Sequence, residues 1–384
     1  MIGLQNLYLC SMGFKRRFLL LAAAGLCLFI ACSKDPIIPV NLGKREFKLV
    51  LPETPYSYGT DTFPSHFNLP PLSFINSIQN PITNDGATLG RVLFYDRKLS
   101  VNNAISCGSC HLQSKAFSDP GQFSSGFEGG KTGRNSMAIE NTRYSFRFFW
   151  DHRATYVEGQ VLMPIQNNVE MGMNLADLVT KLKGVDYYPS LFQKAFGSTD
   201  ITVDKISNAL GQFVQSLTTY RSKYDIGKQN GFVDFTTLEN DGMTLYLSGT
   251  INCNQCHTTA NFYDTSTLNN GLDTVYTDNG RGLITGDPLD NAKFKVPSLR
   301  NIEVSGPYMH DGRFNTLEEV VEHYNSGIKQ HPNLDDRLTT TGTTGGTPKQ
   351  YGLTAYQKAS VVAFLKTLTD QSFLTDVRFS DPFK

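Results

Sequence analysis

Two short stretches, "CGSCH" at residues 107–111 and "CNQCH" at residues 253–257, decide the reading of this chain. In each, two cysteines stand three positions apart and a histidine follows at once. Thiols so spaced can add across the two vinyl groups of a haem, and the adjacent histidine is placed to ligate its iron. A thioredoxin-like redox pair and a Cys/His zinc site are the competing uses of such a pattern. The rest of the cysteine inventory decides between them. Of seven cysteines, Cys10, Cys27 and Cys32 fall in the N-terminal segment, leaving only Cys107, Cys110, Cys253 and Cys256. An exported chain is expected to pair its cysteines, yet none is spare. Two covalently bound haems c, with His111 and His257 as proximal ligands, are therefore expected.

Export is read from the first 31 residues. Lys15, Arg16 and Arg17 precede an apolar run from Phe18 to Ile30. That run is too short for a stable spanning helix and has the flanks of a signal segment. It ends in "LFIACSKD", which resembles a bacterial lipoprotein lipobox with Cys32 as the acylated residue. An ordinary secretory signal cut nearby is the alternative. Either reading places the protein in the periplasm, and lipidation at Cys32 would anchor it to a membrane without crossing it.

The chain of 384 residues has 35 basic and 35 acidic side chains, so it lacks the basic excess of a nucleic-acid surface. Its length favours two domains, and the sequence around the motifs repeats. "DGATLGRVLFYDRKL" precedes the first motif and "ENDGMTLYLS" the second. Ile206, Ala209, Leu210, Phe213 and Leu217 form a helical stripe after the first. Val361, Phe364, Leu365 and Leu368 form a matching stripe after the second. Loops are read at 118–136, 264–291 and 339–350. The expected fold is mainly α, with two cytochrome c-like haem domains in tandem and long irregular loops. A signal (1–31) and linker (32–65) precede domains at 66–228 and 229–384, with a boundary near Gly227–Asp234.

With these features the sequence resembles the bacterial di-haem cytochrome c peroxidases and MauG-type enzymes. The resemblance runs from about Leu69 to Leu368. It includes "LGRVLFYDRKLS", "FFWDHRATYVEGQVLMPIQNNVEMG" and "VPSLRNIEVSGPYMHDG". It implies that peroxide is split at the N-terminal haem while the C-terminal haem exchanges electrons. Trp150, the only tryptophan, would lie between the haems; alone it would read as a core residue. Glu170 would be the catalytic carboxyl, with Gln160 and Pro164 lining the same pocket. Family members that rest inactive carry a second histidine after the first motif. None lies between Leu112 and Trp150 here, Phe127 matches that position, and Met137 is the only soft side chain. The first haem is thus expected to be five-coordinate or water-bound at rest. His152, where the family usually has glycine, is the residue that could close it. The resemblance further implies a calcium site at Asn135, Ser305 and Pro307. Arg300 would pair with a haem propionate, or else form a surface salt bridge.

For the second haem, Tyr324 falls where peroxidases carry a methionine ligand and MauG-type enzymes a tyrosine. In "TLEEVVEHYNSG" (316–327), Thr316 and Glu319 have capping-box spacing. Leu317, Val320, Val321 and Tyr324 share a buried stripe, with His323 turned about 100° away. Met309 reads as packing. Three functions follow as expectations. One is a peroxidase reducing hydrogen peroxide with electrons from a small cytochrome c or copper protein. Another is a MauG-like oxidase acting on a partner protein, and the last a non-catalytic electron carrier. No nucleic-acid partner is expected, and a homodimer is left open.

Overall fold

The computed structural model describes residues 48–59, 62–67 and 79–384. The signal segment, Cys32 and most of the linker lie outside the described residues. Among these, no helix is long and apolar enough to cross a membrane.

Helices dominate. In chain order they are α1 (Asn84–Tyr95), α2 (Cys107–Cys110), α3 (Val157–Gln166), α4 (Leu175–Lys183), α5 (Tyr188–Phe196) and α6 (Val203–Ser216). They continue with α7 (Lys223–Asn230), α8 (Thr237–Leu247), α9 (Cys253–Cys256), α10 (Gly282–Thr285), α11 (Leu317–Glu322), α12 (Ala355–Lys366) and α13 (Gln371–Thr375). The sheet among the described residues is one antiparallel pair, β1 (Thr267–Leu268) with β2 (Phe294–Lys295). The stretch 227–234 holds the end of α7 and the turn before α8.

The internal repeat reaches the level of single contacts. In the first half α1 crosses α6 at Gly90, where a Cβ would lie 1.9 Å from the Ala209 carbonyl oxygen and 2.7 Å from Phe213 Cβ. In the second half α8 crosses α12 at Gly242, where a Cβ would lie 1.9 Å from the Ser360 carbonyl oxygen and 2.9 Å from Phe364 Cβ. Aromatic rings close each crossing: Phe94 meets Phe213 at 5.2 Å, and Tyr246 meets Phe364 at 5.0 Å. Both anticipated stripes are buried, Ile206 to Leu217 on one side and Val361 to Leu368 on the other. Glycine is needed at each crossing because only a helix without a side chain lets the backbones approach so closely. Gly242→Ala gains helix propensity of about 1 kcal/mol but must push α12 outward, which costs about 1–3 kcal/mol or more. A lower denaturation midpoint of the haem-loaded protein is expected, and an unchanged one would contradict the tight crossing.

Two hydrophobic cores result, one around α1 and α6 and one around α8 and α12. The last residues do not stay with the second. Phe373, Leu374 and Phe379 belong to the first core, where Tyr95 donates to the Phe379 carbonyl at 2.7 Å and Arg91 to that of Ser380 at 2.6 Å. At the junction, Arg300 and Asp225 are both fully buried and meet through paired bonds of 2.8 Å. Burial pushes the Asp225 carboxyl upward, but the Arg300 guanidinium wins and holds it well below the usual range. Arg300 also donates to the Ala260 carbonyl and lies over the Phe67 ring at 4.6 Å. His66 completes the cluster, 2.9 Å from Asp225.

Candidate active site: two cysteine motifs and the wall between them

Each motif forms one helical turn, closed by a bond from the histidine amide to the first cysteine carbonyl, 3.0 Å at His111 and 2.9 Å at His257. The four cysteines are free thiols. Burial pushes Cys107 and Cys253 up to about 12 and Cys110 and Cys256 up to about 11. Among the described residues, no three His, Cys, Asp or Glu side chains converge as a metal set. Each imidazole is oriented from behind. His111 Nδ1 is 2.6 Å from the Phe117 carbonyl oxygen, and His257 Nδ1 is 3.1 Å from those of Phe262 and Pro297. A carbonyl only accepts, so Nδ1 carries the proton and Nε2 presents its lone pair, the tautomer a haem ligand needs.

The second motif opens into a large cavity that fits a haem. Cys253, Cys256 and His257 form part of its wall, and Leu317, Val320, Val321 and Tyr324 another part. Thr316 and Glu319 form the anticipated capping box. After Glu322, however, the α-helix widens into a π-turn at His323–Gly327. The stripe keeps its phase up to Tyr324, which lines the cavity with Leu317, Val320 and Val321. His323, off that stripe, is nevertheless buried, its Nε2 3.1 Å from the Asn270 carbonyl oxygen. It has no place in the cavity wall, whereas Tyr324 does. Burial pushes the Tyr324 phenol up, with Asn270 opposing in part, so it is neutral unless a cation lies beside it. Met309 also lines the cavity, but its sulfur accepts from the Asn270 amide at 3.4 Å.

Trp150 and Asn135 line this same cavity. The indole donates to the Asn135 carbonyl at 2.9 Å, and Lys295 donates its amide to the Trp150 carbonyl at 2.7 Å. Arg134 braces the segment by joining Asp151 to Asp278, both at 2.6 Å. Asn135 is bonded through its amide N–H to the His310 carbonyl at 2.8 Å, and His310 stacks on Phe294 at 3.7 Å. Ser305 and Pro307 belong to the same wall as Asn135. Of the two readings for Arg300, an ion pair is present among the described residues. Its donors go to Asp225 and Ala260, and it is absent from the cavity wall, so an ion pair is what forms, buried rather than at the surface.

At the first motif, α3 carries Gln160 and Pro164 one turn apart, both half-buried. The chain then turns back so that Met171 donates to the Pro164 carbonyl at 3.3 Å. Glu170 stands in that turn. Its amide donates to the Asn167 side chain at 3.1 Å, and its carbonyl accepts from Phe127 at 2.9 Å. Gly126 allows this approach, since a Cβ there would lie 1.5 Å from the Val169 oxygen. The Phe127 ring packs on Gly172, at φ +62°. Burial raises the Glu170 carboxyl, with Arg153 opposing, and its charge is felt by both Cys107 and Cys110. His152 is buried at φ +57° and its Nε2 has no partner. Burial, then Lys295, Arg281 and Arg147, push it down to about 3, so it is neutral near neutrality.

A buried carboxylate, Glu140, and a half-buried amine, Lys295, in the wall of the second cavity went unanticipated. Nothing in "MAIEN" distinguishes that glutamate from one on a solvated loop.

Two thiol-pair motifs backed by oriented imidazoles, each at a crossed helix pair, define a di-haem c-type cytochrome. The family profile described as di-haem cytochrome c peroxidase matches residues 84–230. A methylamine utilization protein MauG of Methylorubrum extorquens is 32% identical over 75% of this chain and 79% of its own. A cytochrome c551 peroxidase of Nitrosomonas europaea is 32% identical over 78% of this chain and 84% of its own. The chain belongs to this di-haem cytochrome c peroxidase and MauG family, and is an oxidoreductase with two c-type haems. Among solved structures, a MauG-like protein associated with microbial copper homeostasis is similar at TM-score 0.72 and 33% identity, over 82% of this chain and 99% of that one. The diheme peroxidase BthA from Burkholderia thailandensis shares the fold at TM-score 0.66 and 22% identity, over 87% of this chain and 99% of that one.

Proposed function

We propose that the protein reduces hydrogen peroxide to water at the N-terminal haem, with electrons relayed from the C-terminal haem past Trp150. The observation that carries this reading is the Glu170 turn, held through its backbone by Phe127, with a half-buried carboxyl whose charge reaches Cys107 and Cys110. A haem held by Cys107, Cys110 and His111 would supply the iron that binds peroxide and the electrons for O–O cleavage. Glu170 moves one proton from the inner peroxide oxygen to the outer one, the task of a carboxyl with a raised proton affinity. Gln160 and Pro164 shape the same pocket. His152 is neutral beside Lys295, Arg281 and Arg147, and in this reading it does not ligate the first iron.

The alternative is oxidation of a side chain on a partner protein, as a MauG-like enzyme. Tyr324 in the wall shared with His257 favours it. An anionic phenolate ligand stabilises ferric and higher states and makes a poor store of reducing equivalents. In either reading Asn135, Ser305 and Pro307 would supply oxygen ligands for a calcium ion. The mature protein would be periplasmic, anchored through lipid on Cys32, and its donor a small cytochrome c or copper protein. Steady-state oxidation of a reduced cytochrome or cupredoxin by peroxide tests the proposal. Turnover that saturates in both substrates is expected. Absence of turnover with two six-coordinate low-spin haems would overturn it in favour of a pure electron carrier.

A further inference from the structure

Glu140 is 6% exposed and its Oε2 is buried without a hydrogen-bond partner. Both Glu140 and Lys295 line the cavity of the second haem, in the wall that also holds Trp150 and His257. Lys295 donates its ammonium to the Ser145 hydroxyl at 3.3 Å and the Arg147 carbonyl at 2.8 Å, and its backbone to Trp150. Among the described residues, no ion pair to Glu140 forms within contact distance. A buried carboxylate with an unpartnered oxygen is costly, and the cheapest remedy is a proton.

We propose that Glu140 is the proton-binding group tied to the redox state of the second haem. It takes up one proton when that haem gains an electron and returns it when the electron leaves. The balance is simple: an external donor or electrode supplies the electron, solvent supplies the proton, and the net charge of the buried wall stays constant. A charge change in a low-dielectric wall is expensive unless compensated, and Glu140 is the buried carboxylate in the cavity wall that also holds Trp150.

The groups facing it set the working range. Burial pushes Glu140 up to about 8, opposed by Arg300 and Lys295, with the Ser298 hydroxyl favouring the anion. Arg300 is already neutralised by Asp225, so Lys295 is the adjustable charge, itself pushed down to about 8 by burial and raised by Glu140. Tyr246, Tyr263, Tyr324, Tyr351, His310 and Asp335 share the wall, and the bound haem adds two propionates. Reduction adds negative charge and raises the affinity of Glu140 for its proton. Between its oxidised-state and reduced-state pKa values, the equilibrium for reduction then falls tenfold per pH unit. That is about 59 mV per pH unit for one electron.

This inference rests on a haem at Cys253–His257 and not on peroxide turnover, so either can fail without the other. Spectroelectrochemical titration of the two-haem protein from pH 5.5 to 9.5 reads it. The wild type should show a sloping second-haem potential near neutral pH, with Glu140→Gln removing most of the slope and sparing the first haem. Lys295→Met should keep the slope and move it to higher pH, since losing the ammonium raises the Glu140 pKa. Haem absorbance confirms that both variants are loaded. An unchanged slope in Glu140→Gln overturns the proposal. So does a slope lost only in Lys295→Met, which would make the amine the proton carrier.

Discussion

Glu170→Gln is expected to lower peroxide turnover about 100- to 10,000-fold while both haem spectra stay as in the wild type. The amide keeps the size of the carboxyl and the backbone bonds to Asn167 and Phe127, but it cannot take up and return a proton. The pH profile carries the same information. Burial raises the Glu170 carboxyl above the ordinary glutamate value, with Arg153 pulling it back in part. As a base it works only when deprotonated, so kcat/KM falls as pH drops through that raised value. The acid limb should be present in the wild type and missing from the residual activity of Glu170→Gln. Stopped-flow mixing with peroxide checks both. Wild-type rates in the variant would remove Glu170 from the chemistry.

Tyr324→Phe is expected to change the ferric spectrum of the second haem and leave the first nearly untouched. The phenol lies in the cavity wall that also holds His257, near the start of the π-turn at His323–Gly327. Burial alone keeps the phenol protonated; a ferric ion beside it is the cation that would draw the proton off. Loss of a hard anionic ligand favours Fe(II). The potential should therefore rise by a sizeable part of the roughly 0.8 V over which axial ligands set haem potentials. An identical second-haem spectrum in the variant would show that Tyr324 only packs against the haem.

The parts of this protein legible in sequence are those that local chemistry enforces. The thiol spacing of 107–110 and 253–256 survives in any fold, and so does the capping box at Thr316 and Glu319. The stripes of α6 and α12 pointed to helices whose inner faces are buried, and the repeat around them pointed to paired crossings. What sequence could not carry depends on long-range closure. The C-terminal residues from Phe373 onward cross to the first core because Tyr95, Arg91 and Gln113 offer donors to their carbonyls. Arg300 finds Asp225, 75 positions away. His323, off the apolar stripe, is buried against the Asn270 carbonyl from 53 positions away. Glu140 looked like any loop glutamate until the chain closed over it.

The sharpest test is the low-temperature ferric EPR spectrum of the purified two-haem protein, which reports both irons at once. The proposed open first haem, with no histidine between Leu112 and Trp150 to block it, together with the proposed His257/Tyr324 second haem predicts one high-spin and one low-spin signal in equal amounts. Two low-spin signals would contradict it, because they would mean that a side chain such as His152 closes the face that Glu170 is placed to serve.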